Sequence, residues 1–161
     1  QLAAGAAAAT GAWLLFLHAD TRLAPGWPAA VGAFCVAREN AGRAGYFRLT
    51  LDDESGAARR VERLVRWRCR IFALPYGDQG LLIKRATYES IGGYRDFPLM
   101  EDVDLIGRLG RGRLAPIDHR AITSADRYRR DGWWRRPLRN LVCLSLYFLG
   151  VSPQRLVGFY R

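Results

Sequence analysis

Two acidic motifs in this chain have the residue types that group transfer on a phosphorylated substrate requires. His18-Ala19-Asp20 follows an uninterrupted apolar run, and Glu101-Asp102 begins a helical pattern about eighty residues later. One carboxylate can hold a divalent cation on a phosphate group, and a second can take the proton of an attacking hydroxyl. Each motif also has a plain structural interpretation, because Asp20 can cap a turn and acids stabilise a helix N-terminus. Their occurrence together favours a site with both roles.

The segment before Asp20 has the pattern of a site at the edge of a sheet. Leu2 to Ala9 predicts a helix that ends near Gly11, and Trp13 to Leu17 is an apolar run of the length of a buried strand. A helix, a glycine, a buried strand and then an acid are typical of an open α/β sheet, where ligands bind beyond the carboxyl ends of the strands. The sequence therefore predicts an α/β fold with Asp20 at the ligand-binding edge.

Further helices, strands and one loop are predicted along the rest of the chain. Glu101 to Leu109 predicts a helix whose first turn holds three acids, as the helix dipole favours. Val61 to Phe72 predicts an amphipathic helix with a strongly basic face, and Tyr76 to Gly80 predicts a loop. The remaining predicted elements are the helices Ala29 to Phe34 and Arg85 to Ile91 and the strands Ala44 to Leu51, Leu81 to Ile83, Leu114 to Ile117 and Ala121 to Thr123.

Composition limits the class of protein and its partners. The formal net charge is +10, and Lys84 is the only lysine among 25 basic residues. The charge suits anionic partners, and arginine suits forked contacts with phosphate, although genome composition can produce the same bias. The three cysteines, Cys35, Cys69 and Cys143, are widely separated, which argues against a disulfide framework and a zinc cluster. No secretory signal is recognisable, so we expect a cytoplasmic protein.

The motifs, taken in order, resemble the family-2 glycosyltransferases of GT-A fold, and the resemblance spans most of the chain. A narrower similarity is to the bacterial subgroup labelled arsenosugar-biosynthesis or radical-SAM/selenodomain-associated transferases. The segments that carry both similarities are Phe16 to Thr21, Leu74 to Gly80, Gly92-Gly93-Tyr94, Pro98 to Leu105 and Thr123 to Ala125.

The resemblance implies an enzyme with a Rossmann-like, open mixed sheet flanked by helices, which transfers a sugar with inversion. Its donor would be a nucleotide-sugar, most simply a UDP-sugar, and its acceptor a small molecule or a lipid-linked hydroxyl. Asp20 stands where the family holds Mn²⁺ or Mg²⁺ on the diphosphate, and His18 stands where many members have an aspartate. Asp102 would be the general base, with Glu101 orienting or supporting it.

Other residues are assigned to substrate contacts by the same resemblance. Asp78 and Gln79 lie in a loop that approaches the acceptor, although Asp78 can equally be an ordinary turn residue. Arg127 and Arg130 would close over the diphosphate, with Trp133 beside the acceptor, and a solvated basic face is the competing interpretation. His119 is interpreted as structural in preference to a third metal ligand.

The predicted organisation is a partial catalytic core over residues 1–126 and a basic, aromatic helical tail over residues 127–161. The family's N-terminal, base-binding strands do not precede Gln1, so we expect a fragment of a longer protein, and the sequence does not decide whether the fragment is active alone. The apolar stretch Leu141 to Val151 is too short to cross a bilayer, which takes about 20 residues. It is predicted to pack on the core or to lie on the inner face of the membrane.

Two non-enzymatic alternatives explain less of the sequence. Arginines interleave with aromatic residues from Arg66 to Arg70 and from Arg127 to Arg139, as in nucleic-acid-binding modules. The acids at Asp20 and Asp102 would repel nucleic-acid phosphates unless a cation lay between them, so nucleic acid is not the expected partner. A membrane-associated protein that kept the fold without catalysis would be insensitive to Asp102→Asn.

Overall fold

Five β-strands and eight α-helices form within residues 1–160, which the computed structural model describes except for the side chain of Tyr160. The chain is therefore an α/β protein. The strands are β1 (Trp13–Phe16), β2 (Thr21–Leu23), β3 (Ala44–Leu51), β4 (Leu81–Lys84) and β5 (Leu114–Thr123). The helices are α1 (Leu2–Ala8), α2 (Trp27–Val36), α3 (Gly56–Phe72), α4 (Arg85–Ser90), α5 (Glu101–Leu109), α6 (Asp126–Asp131), α7 (Arg135–Phe148) and α8 (Pro153–Tyr160).

The strands join in one mixed sheet with the order β1-β4-β3-β5-β2. β3 and β5 run parallel, whereas the other three neighbouring pairs are antiparallel. Phe16 at the end of β1 pairs with Leu81 at the start of β4, and Thr123 at the end of β5 pairs with Thr21. The loops that follow β1, precede β4 and follow β5 therefore meet at one edge of the sheet.

The predicted helices and strands are confirmed, with two differences in the sheet. The two strands expected over Leu114–Thr123 are one strand, because its pairing with β3 skips Asp118 and His119 and resumes at Arg120. A two-residue irregularity of this kind interrupts the alternation on which the sequence prediction depends. β2 was not predicted, since three residues give too short a pattern to detect.

α3 shows why the sequence folds into this arrangement. Ser55 begins the helix by accepting a hydrogen bond from the Ala58 amide, 3.2 Å away, as a preferred N-cap residue does. The inward face buries Val61, Val65 and Cys69 against Leu49 and Leu51 of β3. Removing such side chains from water is the main favourable term in folding. The outward face is left to arginine and to a second set of apolar residues.

The C-terminal helices share a core with the sheet. Cys143 and Leu144 of α7 and Leu156 of α8 are buried in the same cluster as Ile83 of β4 and Leu105 of α5. The predicted tail thus packs on the core through one face of α7 and of α8. None of the helices within residues 1–160 combines the length and the apolar composition that a membrane span needs.

Candidate functional site

Three loops converge at the sheet edge where β1 ends. Ser124, after β5, donates its backbone amide to the Asp20 carbonyl at 3.1 Å. The Thr123 hydroxyl donates to the Asp78 carbonyl at 3.0 Å and lies 2.8 Å from the Thr21 hydroxyl. These bonds tie the loop after β1, the loop before β4 and the end of β5 to each other. Residues far apart in sequence are thereby held at one place.

A cavity of about 150 Å³ lies between these loops and the helices α5 to α7. Its lining contains both acidic motifs that the sequence singled out, and it also takes side chains from beyond the predicted boundary at residue 126. The lining residues are His18, Asp20, Tyr76, Gly77, Asp78, Leu99, Met100, Glu101, Asp102, Val103, Thr123, Ser124, Arg127, Tyr128, Arg136 and Asn140.

Asp20 is held between two cationic or potentially cationic groups. Its Oδ1 lies 3.1 Å from His18 Nδ1, and its Oδ2 lies 3.5 Å from Arg127 Nη2. The Asp20 side chain is only a quarter exposed, at 26%, and it lines the cavity. Because the Arg127 guanidinium already neutralises this carboxylate, a cation that bound to Oδ2 would have to displace it. A phosphate group entering the cavity would offer Arg127 an alternative partner.

Asp102 is fixed by two backbone amides. Its Oδ2 accepts a hydrogen bond from Gly77 at 2.7 Å, and its Oδ1 accepts one from Val103 at 2.8 Å. A carboxylate has about four acceptor positions, so each oxygen retains capacity for a ligand proton. Met100, the residue before α5, has a φ of 65°, a left-handed conformation that costs a non-glycine residue about 1–2 kcal/mol. The chain therefore accepts backbone strain where it presents Glu101 and Asp102.

Burial and neighbouring acids shift two carboxyl groups in the cavity. Burial, followed by the Asp102 charge, raises the pKa of Glu101. Burial also raises the pKa of Asp78, and the nearby charges of Arg68 and Asp102 act in opposite directions on it. The Asp78 residue is half-buried, but its Oδ1 atom is enclosed and has no hydrogen-bond partner within the described residues. Enclosing an oxygen without a hydrogen-bond partner costs free energy unless a ligand or water pairs with it.

Two aromatic hydroxyls near these acids are also shifted. Burial raises the pKa of Tyr76 and that of Tyr94, and the Asp102 charge acts in the same direction on both. The Arg68 guanidinium lies 3.4 Å from the centre of the Tyr76 ring and partly offsets the shift of Tyr76. Both phenols therefore stay protonated at neutral pH.

Three of the predicted site residues lie away from this cavity. Gln79 is buried and uses its amide to bond the Phe47 carbonyl at 3.0 Å, which supports the loop from beneath. Arg130 pairs with its neighbour Asp131 at 2.9 Å. Trp133 stacks on Tyr128 with ring centres 5.5 Å apart. Of the residues predicted to contact substrate, the cavity thus gathers His18, Asp20, Asp78, Glu101, Asp102 and Arg127.

His119 has a structural partner. Its Nε2 lies 2.9 Å from the Ala24 carbonyl, at the irregularity of β5. It does not line the cavity.

Sequence reasoning missed several residues of the lining. Arg136 and Asn140 come from the first turns of α7, which the sequence assigned to the tail. The strand pattern predicted Thr123 as the end of a strand and did not indicate a site there. The resemblance of Thr123-Ser124-Ala125 to a family segment was the one indication that this region is functional. The amphipathic spacing of α7 gave no indication of which of its turns would reach the cavity.

The carboxylates of the cavity suit a divalent cation that a substrate helps to bind. Within residues 1–160, no group of three or more His, Cys, Asp or Glu side chains is arranged to hold a metal ion. Mg²⁺ is commonly held by one or two carboxylates together with substrate phosphates and water. Asp20, which lines the cavity, fits that donor set.

Comparison with known proteins does not place the chain in a family. No family model, no curated protein and no solved structure matches it.

Proposed function

We propose that this chain is the catalytic core of an inverting glycosyltransferase of GT-A type, which moves a sugar from a nucleotide-sugar to an acceptor hydroxyl. One observation carries the proposal: two acidic motifs about eighty residues apart line a single cavity, together with two arginines and an unpaired enclosed oxygen. The residues of the two motifs that line it are His18, Asp20, Glu101 and Asp102. Inverting transfer needs a site for the diphosphate and a separate base within one pocket. The other support is the ordered resemblance of the sequence motifs.

The diphosphate of the donor is assigned to the side of the cavity that holds Asp20 and Arg127. Arg127 exchanges its pairing with Asp20 for a phosphate oxygen, since its guanidinium suits forked contacts. Mn²⁺ or Mg²⁺ held by Asp20 would neutralise the charge that develops on the leaving diphosphate. His18 keeps Asp20 oriented from the opposite oxygen.

The acceptor hydroxyl is assigned to Asp102. The bonds from Gly77 and Val103 hold the Asp102 carboxylate in one orientation, which a base needs before it can take a proton in the transition state. Because its pKa is raised, the Glu101 carboxyl keeps a proton to a higher pH than an ordinary glutamate does. Glu101 supports Asp102 in this scheme.

Two unpaired oxygens favour a ligand rich in hydroxyl groups. Asp78 Oδ1 and Asn140 Oδ1 are both enclosed, both lack hydrogen-bond partners within the described residues, and both residues line the cavity. Hydroxyl groups of a sugar or of a polyol acceptor are donors of the kind that such oxygens need. Asn140 is a residue that the sequence did not assign to acceptor binding.

The test is release of nucleoside diphosphate from a panel of UDP-, GDP- and dTDP-sugars, with water as the acceptor of the glycosyl group, measured with Mn²⁺, with Mg²⁺ and with a chelator. The proposal expects metal-dependent release with at least one donor, and its loss in both Asp20→Asn and Asp102→Asn. Asp118→Asn is the matched control, because this aspartate is 93% exposed and pairs with Arg48 outside the cavity. Release that is unchanged in the two cavity variants would contradict the proposal.

A further inference from the structure

Large apolar side chains are exposed on the outward face of α3. Leu64, Trp67 and Ile71 are 48%, 56% and 43% exposed, and Phe72 follows them. Their spacing of three and four residues places the first three side chains along one face of the helix. The inward face of α3 already packs on β3, so this second stripe contributes little to the core of the chain.

A similar stripe continues along α7. Leu138 is 61% exposed, Leu141 is 57% exposed and Phe148 is 66% exposed, with Val142 beside them. Trp134, directly before α7, is 65% exposed, and the Arg60 guanidinium of α3 lies 5.7 Å from the centre of its ring. The two stripes therefore approach each other at Trp134. We call these side chains, together with the arginines that lie beside them on α3, the apolar-basic surface. Its nine apolar residues are Leu64, Trp67, Ile71, Phe72, Trp134, Leu138, Leu141, Val142 and Phe148.

The exposed charges beside the α3 part of this surface are positive. Arg60, Arg63, Arg66 and Arg70 are exposed on α3 between and beside its apolar stripe. Glu62, the one acid of α3, is buried and accepts a hydrogen bond from the Leu51 amide at 2.8 Å. Of the three arginines of α7, Arg136 and Arg139 pair with Asp131 of α6 at 3.1 and 3.0 Å, so the exposed positive charge of this surface lies mainly on α3. An exposed apolar face bordered by the arginines of α3 matches an anionic, partly apolar partner.

From this geometry we propose that the apolar-basic surface docks the protein on a bilayer that contains anionic phospholipid. Leucine, isoleucine and phenylalanine side chains enter the boundary between head groups and acyl chains, and tryptophan and arginine are favoured at that boundary. Basic residues near an anionic bilayer contribute attraction that falls off within a Debye length. No helix has to span the membrane for this mode of binding.

The same features fit a nucleic acid less well. Interfaces with nucleic acid are polar and wet, and they bind through phosphate contacts and stacked bases. Phosphate contacts and base stacking do not bury exposed aliphatic side chains such as Leu64, Ile71, Leu138 and Leu141. Insertion into a bilayer removes these side chains from water, and this transfer contributes a favourable free energy of binding.

The proposal is independent of the transferase assignment. None of the nine apolar residues of the apolar-basic surface lines the cavity that contains Asp20 and Asp102. Loss of vesicle binding and loss of donor turnover can therefore be measured separately, and either can fail while the other stands.

The first experiment measures co-sedimentation of the protein with phosphatidylcholine vesicles, with and without phosphatidylglycerol. Binding is expected only with phosphatidylglycerol and is expected to weaken at high salt. Arg63→Gln/Arg66→Gln/Arg70→Gln should lower the affinity about 10²-fold, since each basic residue contributes roughly fivefold. The control, Arg38→Gln/Arg43→Gln/Arg120→Gln, removes the same charge from exposed arginines off the surface and should change affinity less than about threefold.

The second experiment tests the apolar stripe at constant charge. Trp67→Ala/Ile71→Ala should weaken vesicle binding at least about tenfold, because two inserted side chains are lost. Trp27→Ala/Val36→Ala truncates exposed residues of α2 and should leave binding unchanged. Equal binding to pure phosphatidylcholine, equal loss in both arginine variants, or an unaffected Trp67→Ala/Ile71→Ala would overturn the proposal. It would also be overturned if the protein bound RNA, or a second copy of itself, through these residues and bound no vesicles.

Discussion

Replacing Asp102 by asparagine separates the structural role of this residue from its proposed role as a base. The carboxylate accepts from Gly77 at 2.7 Å and from Val103 at 2.8 Å. Asparagine keeps one carbonyl oxygen, which can accept from only one of these amides at its present place. The other amide then faces an NH₂ group, which is also a donor.

The two consequences of Asp102→Asn have different sizes. Loss of one hydrogen bond to a charged group costs about 1.5–3 kcal/mol. For a chain of this length, that corresponds to a fall in melting temperature of roughly 3–12 °C, at about 2–4 °C for each kcal/mol. Loss of a general base lowers turnover by roughly 10²–10⁴-fold. Donor binding should change little, because the base acts mainly in the transition state.

Turnover and melting temperature should therefore be measured on the same preparations, well below the transition. Asp104→Asn is a useful companion variant: it disturbs the same helix but leaves the Asp102 carboxylate in place. It should lower the melting temperature and keep most of the turnover. The reasoning about Asp102 is refuted if its asparagine variant loses donor affinity while turnover per bound donor stays normal, or if Asp104→Asn loses as much turnover.

Three further predictions concern stability. Because burial raises the pKa of Asp78 above its ordinary value, the ionised form is disfavoured in the folded state. Stability should thus fall as pH rises from the ordinary to the folded pKa, and Asp78→Asn should raise the melting temperature at neutral pH but not near pH 4. Asp104→Asn should cost about 3 kcal/mol in chemical denaturation, since the buried Asp104 carboxylate pairs with Arg108 at 2.6 Å, and an unchanged midpoint would contradict this. Gly93→Ala should destabilise by about 1–3 kcal/mol, because Gly93 has a φ of 60° and an added Cβ would lie 2.9 Å from Tyr88; a calorimetric scan like that of the parent protein would show the contact to be harmless.

The periodic elements of the fold could be predicted because their patterns are local. The apolar run before His18 gave β1, and the spacing of Val61, Val65 and Cys69 gave the inward face of α3. The pairing that joins Leu114 to Thr123 into one strand depends on β3 and on a two-residue irregularity, which leaves no local signature.

The residues of the site also fall into those that a local pattern predicts and those that depend on tertiary packing. Asp20 and Asp102 could be proposed because acids at a strand end and at a helix start can hold a divalent cation or take a proton. Asn140 and Arg136 could not, since their place in the cavity depends on how α7 packs on the sheet. Gln79 shows the reverse: its neighbour Asp78 lines the cavity, while its own side chain turns inward to the Phe47 carbonyl.

We propose that this cavity binds a metal together with a nucleoside diphosphate, and calorimetric titration tests that binding directly. UDP and UDP-glucose would be titrated into the protein with Mn²⁺ and with a chelator, for the parent chain, Asp20→Asn and the exposed control Asp118→Asn. We expect binding that requires Mn²⁺, that is lost in Asp20→Asn and that is retained in Asp118→Asn. Binding that the chelator leaves unchanged, or that survives Asp20→Asn intact, would contradict it.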